Sequence, residues 1–201
     1  MAKRFAMISS AAMAVLLAVL IYFAYFRTDA HQCTDARVAG GADLIGGSFE
    51  LTAHTGEVVT EQDVITGPTL IYFGFTFCPD FCPLDISRNL AAVDIAASRG
   101  VSVKPVFISI DPARDTVDVV ADYVAAYDPR LLGLTGTAEQ VDVASKAYRT
   151  FYRKNGEGDE DYLMDHSTHS YLMDKDGFKT FMRTDMSPED VAEQLVCFAN
   201  N

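Results

Sequence analysis

The sequence predicts an α/β domain, a central mixed sheet flanked by helices, carried behind an N-terminal transmembrane helix. Three observations point there: an uncharged run at residues 5–26, two continuous apolar runs of strand length each followed by a helical period, and a closing group of paired strands and a helix. At 201 residues the chain suits one well-cored domain with an appendage and is too short for two ordinary domains.

The first run, "FAMISSAAMAVLLAVLIYFAYF", holds 22 consecutive positions without a charge. As a helix it crosses the roughly 30 Å hydrocarbon core of a bilayer. A cleaved signal peptide would carry an apolar stretch of about 7 to 15 residues before a small-residue site. Here the run ends in "YFAYFR", so an uncleaved anchor is expected. Lys3 and Arg4 precede it and Arg27 follows, which by the positive-inside rule keeps the short N-terminus cytoplasmic and exports the rest. Tyr22, Phe23, Tyr25 and Phe26 suit the outer interface. No mitochondrial targeting stretch precedes the anchor, so the expected location is a bacterial inner membrane, single-pass, with the domain in the periplasm. The expected division is 1–27 for the cytoplasmic tip and anchor, 28–43 for a tether rich in Ala, Gly and Asp, and 44–201 for the domain. Outside Lys3, Arg4 and Arg27 the chain has 13 basic against 28 acidic residues. That balance argues against nucleic acid and anionic lipid and suits basic protein surfaces or cations.

Along the domain, "SFELTAHTGEVVT" at 48–60 alternates about a His-Thr-Gly turn and predicts a hairpin, with His54 an exposed turn residue. "TLIYFGF" at 69–75 reads as a strand buried on both faces. "LDISRNLAAVDIAASRG" has helical spacing and ends on Gly100, "VSVKPVFISID" is a second buried strand, and "DTVDVVADYVAAYD" a second helix. "LLGLTG" predicts a short strand and "AEQVDVASKAYRTFYRK" a third helix reaching residue 154. "NGEGDED" at 155–161 reads as a mobile acidic loop. Two or three strands follow over 161–183, then a helix over 187–200 with Ser187 as N-cap and Pro188 at its first position. The crossovers make the central strands parallel, and chemistry in such sheets gathers at their carboxyl ends, where Cys78 lies.

Cys78 and Cys82, each followed by proline, sit at this strand-to-helix junction. Pro79 and Pro83 suit a first helical turn, so both sulfurs fall near the positive end of a helix dipole, which lowers thiol pKa values and makes both cysteines reactive. A structural disulfide closing so few residues would constrain the unfolded chain little. The pair can instead be a redox couple, or two ligands of a soft ion such as Cu(I), for which a third ligand adds selectivity. Of the four histidines, His31 falls in the tether and His54 in a turn. His166 and His169 lie in a strand-loop-strand unit and, three apart, face opposite ways on a regular strand, so one of them can face the cysteines. Spacing alone leaves the redox and metal readings open.

"YFGFTFCPDFCP" at 72–83, "ISIDPARDT" at 108–116 and "YLMDHSTHSYLMDKDG" at 162–177 resemble, in order and spacing, the three signatures of the Sco/SenC proteins, membrane-anchored copper chaperones with a thioredoxin-like fold. The resemblance spans about residues 44–200; its first and third motifs are specific together, whereas "DPARDT" alone is weak. It implies that Cys78, Cys82 and His166 bind one copper, as Cu(I) or Cu(II), and that the partner is the copper-site subunit of cytochrome c oxidase, whose binuclear centre the family helps to assemble. Other copper carriers or thiol reductants are further partners. Whether the protein also acts as an enzyme stays open: Cys78 and Cys82 would be the redox-active pair of a thiol-disulfide oxidoreductase reducing the oxidase cysteines, or of a redox or copper sensor. Three residues between the cysteines, and no proline within 162–177, depart from thioredoxin-type oxidoreductases and favour metal holding. Thr76 stands two positions before Cys78, not three as in peroxiredoxins. His169 departs from the family pattern and is a spare-ligand candidate. Asp80 and Asp111 are expected as turn or cap residues, and Arg114 as the partner of a loop carboxylate. Cys33 and Cys197 are either bridged, pinning the tether to the domain, or two free thiols.

Overall fold

The structure, a computed structural model, describes residues 13, 15–19, 21, 33, 38, 41–156 and 162–200. The chain divides into two units, Met1–Gln32 and Cys33–Asn201. In the first, residues 13, 15–19 and 21 are helical. Most of the expected membrane span at 5–26 lies outside the described residues, and among those described no helix is long and apolar enough to cross a membrane. The acidic loop expected at 155–161 also lies mostly outside them.

In the second unit, β1 (Glu50–Ala53) and β2 (Val58–Thr60) form the expected antiparallel hairpin. His54 is not a free turn residue. Its backbone N–H donates to the Gly133 carbonyl at 2.8 Å, and its Nδ1 accepts from the Gly133 N–H at 3.1 Å. A short helix, α1 (Glu61–Val64), leads to β3 (Thr69–Gly74), whose six residues are all buried. Then come α2 (Phe81–Ser98), β4 (Lys104–Ser109), α3 (Val117–Ala125), β5 (Leu132–Thr135) and α4 (Ala138–Ala147).

The expected helix to residue 154 ends seven residues early. Arg149 adopts φ 52°, outside helical geometry, and the β-branched and aromatic residues Thr150, Phe151 and Tyr152 favour an extended chain. That stretch becomes β6 (Tyr152–Asn155), which pairs with β7 (Leu163–His166) in a separate two-stranded antiparallel ribbon. β8 (Ser170–Asp174), β9 (Gly177–Met182) and α5 (Pro188–Ala199) complete the unit.

The main sheet has seven strands in the order β2-β1-β5-β4-β3-β8-β9. β3, β4 and β5 are parallel, and β8 returns antiparallel beside β3, so the sheet is mixed as expected. On one face Leu70 and Leu172 pack against Ala92, Val93 and Ala96 of α2 and Val191 and Leu195 of α5. On the other, Ile71 and Phe73 share a core with Val120 and Val124 of α3 and Val141 and Ala144 of α4. A 12-residue helix such as α5 is marginal in isolation. Burial of Val191 and Leu195, about 1.5 to 3 kcal/mol each, and the Ser187–Asp190 capping box hold it in place.

Cys33 and Cys197 are joined by a disulfide across 164 residues of sequence, so the bridged alternative holds and the segment at residue 33 is fastened to the last helix. With Cys78 and Cys82 replaced by serine, thiol counting should return no free thiol until a reductant is added. Reduction should then lower unfolding stability by about 2 to 4 kcal/mol, measured by denaturant titration.

Candidate metal centre

β3 delivers the chain to the carboxyl edge of the sheet, and Thr76 turns it toward Cys78. The turn is held by Asp115, which is fully buried. One carboxylate oxygen accepts from the Thr76 N–H at 3.0 Å and the Ser109 hydroxyl at 2.6 Å; the other accepts from the Thr76 hydroxyl at 2.6 Å. Burial pushes the Asp115 pKa up, and the bonds from Ser109 and Thr76 work against it. The residue lies inside "ISIDPARDT", yet nothing about its spacing distinguishes it from a helix-flanking acid.

Asp80 is the N-cap of α2, but its side chain makes no capping bond. Cys82 and Pro83 are the second and third helical residues, as the proline argument predicts. The Cys82 N–H, one of the donors left over at a helix start, points at Cys78 Sγ at 3.4 Å. Both cysteines are thiols; Cys78 is 9% exposed and Cys82 wholly buried. Cys82 fits because residue 74 is glycine: a Cβ there would stand 2.9 Å from Cys82 Sγ and 2.9 Å from the Tyr72 ring. The Tyr72 hydroxyl is itself buried beside Cys82 and Asp85, and burial pushes that phenol up.

The ribbon supplies the third group. His166 ends β7, and its ring is met edge-on by Phe75, at 5.8 Å between centroids, and Tyr72, at 6.3 Å. Its Nδ1 lies 2.7 Å from the Ser167 carbonyl, which can only accept, so the proton sits on Nδ1. In the neutral ring the lone pair is then on Nε2, 3.7 Å from Cys82 Sγ. His169 faces elsewhere, packed on Tyr171 and Phe181 at 4.8 and 4.5 Å, where burial pushes its pKa down. The spare-ligand candidate is a packing residue.

Cys78 Sγ, Cys82 Sγ and His166 Nε2 all lie within 4.8 Å of one another. Metal–sulfur bonds of about 2.3 Å and metal–nitrogen bonds of about 2.0 Å place donors around one ion roughly 3.5 to 4 Å apart, so a closure of about 1 Å completes such a site. Two sulfurs with one imidazole suit soft and borderline ions. A cavity of about 280 Å³ opens onto Cys78 and His166 between Phe81, Asp80 and Leu163.

The two thiols differ where the dipole argument treats them alike. A hydrogen bond from the Cys82 thiol, above all, pulls the Cys78 pKa down to about 4, helped by the Cys82 and Asp80 backbone N–H groups, against burial. The same shared proton, with burial, pushes Cys82 up.

Beneath the cysteines α2 is fixed by a buried polar network that sequence reasoning did not single out. Asp85 pairs with Arg88 at 2.7 Å, Arg88 donates to the Arg183 carbonyl at 2.9 Å, and Asn89 donates to the Ser170 hydroxyl at 2.8 Å. Desolvation pushes Asp85 up and Arg88 down, while their mutual attraction opposes both. Three polar side chains within five helical positions, Asp85, Arg88 and Asn89, were the available signal. Asp111 and Arg114 behave as expected of loop anchors. Arg114 pairs with Asp111 at 2.5 Å and donates to the Tyr162 carbonyl at 2.9 Å, and the Tyr162 hydroxyl donates to Asp111 at 2.6 Å.

Compared with known proteins, residues 37–200 match the SCO1/SenC family along nearly the whole second unit. The chain belongs to the SCO1/SenC family. SenC of Rhodobacter capsulatus is 45% identical over 199 residues, covering 98% of this chain and 90% of that protein. The mitochondrial SCO1 homolog of Homo sapiens is 46% identical over 140 residues, 68% of this chain but 46% of the human protein, so the likeness spans less than half of the latter. The crystal structure of Arabidopsis thaliana ScoI with copper bound superposes with a TM-score of 0.73 at 42% identity, covering 76% of this chain and 96% of that one. The SCO1/SenC chain thus has the thioredoxin-like α/β fold that the resemblance implied.

Two consequences are measurable. Carboxymethylation of Cys78 in the reduced protein should keep its rate as pH falls from about 8 to about 6, where an ordinary thiol slows roughly a hundredfold. Asp115→Asn leaves one side-chain oxygen for three donors. It should cost about 2 kcal/mol or more in denaturant unfolding, and amide exchange should quicken around Thr76.

Proposed function

We propose that this protein is a copper-binding assembly factor that holds one Cu(I) or Cu(II) between Cys78, Cys82 and His166 and delivers it to the binuclear copper centre of cytochrome c oxidase. The observation that carries this reading is the convergence of two sulfurs and a bare imidazole nitrogen within 4.8 Å, from two separate elements. A relative of 42% identity, Arabidopsis thaliana ScoI, was crystallised with copper bound, which supports copper as the cargo. Thiolates favour Cu(I) and the imidazole helps accommodate Cu(II), so one donor set serves both oxidation states. Phe75 and Tyr72 hold the ring, the Ser167 carbonyl fixes its tautomer, and Gly74 leaves room for the Cys82 sulfur. The uncharged run at 5–26, within the part of the chain that aligns with SenC, supports an inner-membrane anchor with the domain in the periplasm.

The second reading is a thiol-disulfide oxidoreductase that reduces the oxidase cysteines. It is favoured by the opposite directions in which the two thiols are pushed, Cys78 down and Cys82 up, as an attacking and a resolving thiol need. The test is an anaerobic Cu(I) titration of the reduced chain in competition with a chelator, with His166→Ala alongside. One copper per chain, bound about tenfold or more weakly in the variant, is the expected result. Equal affinity in both, or none in either, moves the assignment to the oxidoreductase.

A further inference from the structure

Among the described residues of Cys33–Asn201 the exposed phenylalanines are Phe77, Phe81 and Phe151. Two lie on the segment that carries the cysteines, and the third faces the segment that carries His166. Phe77 precedes Cys78, Phe81 precedes Cys82, and Phe151 is bonded through its backbone to Ser167, next to His166. Leu84, one turn beyond Phe81, is 67% exposed, and Leu163, on the lip of the cavity, 49%. Together they leave on the order of 500 Å² of apolar side chain in water, about what one partner contributes to a small transient interface. Phe77, 64% exposed, is also held: the Arg114 guanidinium lies 5.0 Å from its ring centroid.

We infer that Phe77, Phe81, Leu84, Phe151 and Leu163 form a docking surface for a protein partner that presents a loop with sulfur ligands among apolar residues, flanked by Lys or Arg. The inference rests on the copper reading. With Cys82 wholly buried and Cys78 nearly so, an incoming ligand must reach the site through the cavity that Cys78, His166, Phe81 and Leu163 line, and the apolar residues flanking those segments are what its owner touches. Charge selects a protein over a bilayer. Asp80 is exposed between the cysteines, Asp165 adjoins His166, and the chain carries a net −12, so an anionic lipid surface is repelled and a basic protein rim attracted.

The probe is the purified, copper-free copper-site subunit of cytochrome c oxidase, with the full chain in nanodiscs. Leu84→Ser/Phe151→Ser should weaken association about tenfold or more and slow copper transfer to the subunit. Copper affinity and copper removal by a small chelator should stay at wild-type values, and Val143→Ser, an exposed apolar change on α4, should change nothing. Wild-type association and transfer in the double variant, or no association by the wild type, overturns the proposal. The chain has no tryptophan, so Leu84→Trp reports its own surroundings. A blue shift on vesicles of zwitterionic and anionic lipid assigns the patch to the membrane and likewise overturns it. Association is measured without copper as well, so failure of the chain to bind copper is seen separately from failure to dock.

Discussion

The site depends on one buried carboxylate. Asp115 binds the turn after β3 through the Thr76 backbone and hydroxyl, and the end of β4 through Ser109, while its own carbonyl accepts from Thr135 at the end of β5 at 2.6 Å. Three parallel strands are tied together at the edge where the cysteines emerge. A fully buried carboxylate without partners would be strongly disfavoured. Here three donors converge on it, so the desolvation cost is offset only when the loop adopts this one path. The direction in which Cys78 leaves the sheet follows from satisfying Asp115.

From there the geometry propagates through α2. Its first turn has amide groups with no helical partner, and one of them, from Cys82, is turned on the Cys78 sulfur. The helix cannot rotate to release that contact without breaking the bonds from Arg88 to the Arg183 carbonyl and from Asn89 to Ser170. A buried ion pair adds little net stability compared with an apolar substitute, but shifting α2 on β8 would leave the buried Arg88 and Asn89 donors without the Arg183 carbonyl and Ser170 hydroxyl, which penalises wrong registers. Gly74 removes the last steric obstacle. With no Cβ at that position, the Cys82 sulfur rests against the sheet between Tyr72 and Phe107.

Much of this was legible in the sequence because each element announced itself locally. The uninterrupted run at 69–75 could only be a strand covered on both faces, and the prolines at 79 and 83 fixed where a helix could begin. Ser187 and Pro188 marked the last helix, and the three-residue spacing of His166 and His169 implied that one of them would turn away. Local signals failed where tertiary pairing decided. The helical period of α4 runs on into Tyr152, but β7 offers that stretch a ladder, and Arg149 breaks the helix before it. His54 looks like any turn residue until β5 places Gly133 against it. Asp115 matters through Thr76, 39 residues away, and Gly74 and Tyr72 through side chains that packing brings against them, and no window of sequence shows that. The two thiols are pushed in opposite directions by their mutual contact, which a helix-dipole argument does not resolve.

The donors are divided between two kinds of element. Cys78 and Cys82 belong to the junction of the seven-stranded sheet with an 18-residue helix, anchored from below on every side. His166 belongs to a two-stranded ribbon outside that sheet, and a ribbon of this size is marginal by itself. What fastens it is local: Arg114 to the Tyr162 carbonyl, Tyr162 to Asp111, and the edge contacts of Phe75 and Tyr72 with the imidazole. Such a division sets an order of events. On the proposed copper reading, an ion held by all three donors would lose the imidazole at lower cost than either sulfur, because displacing the ribbon would leave the main sheet and its buried network intact. Withdrawal of His166 would open the coordination position toward the cavity, on the side where the apolar surface lies, while the sulfurs keep their hold. A competing ligand could therefore bind before the cargo was free, and exchange would proceed without an unprotected ion in solution.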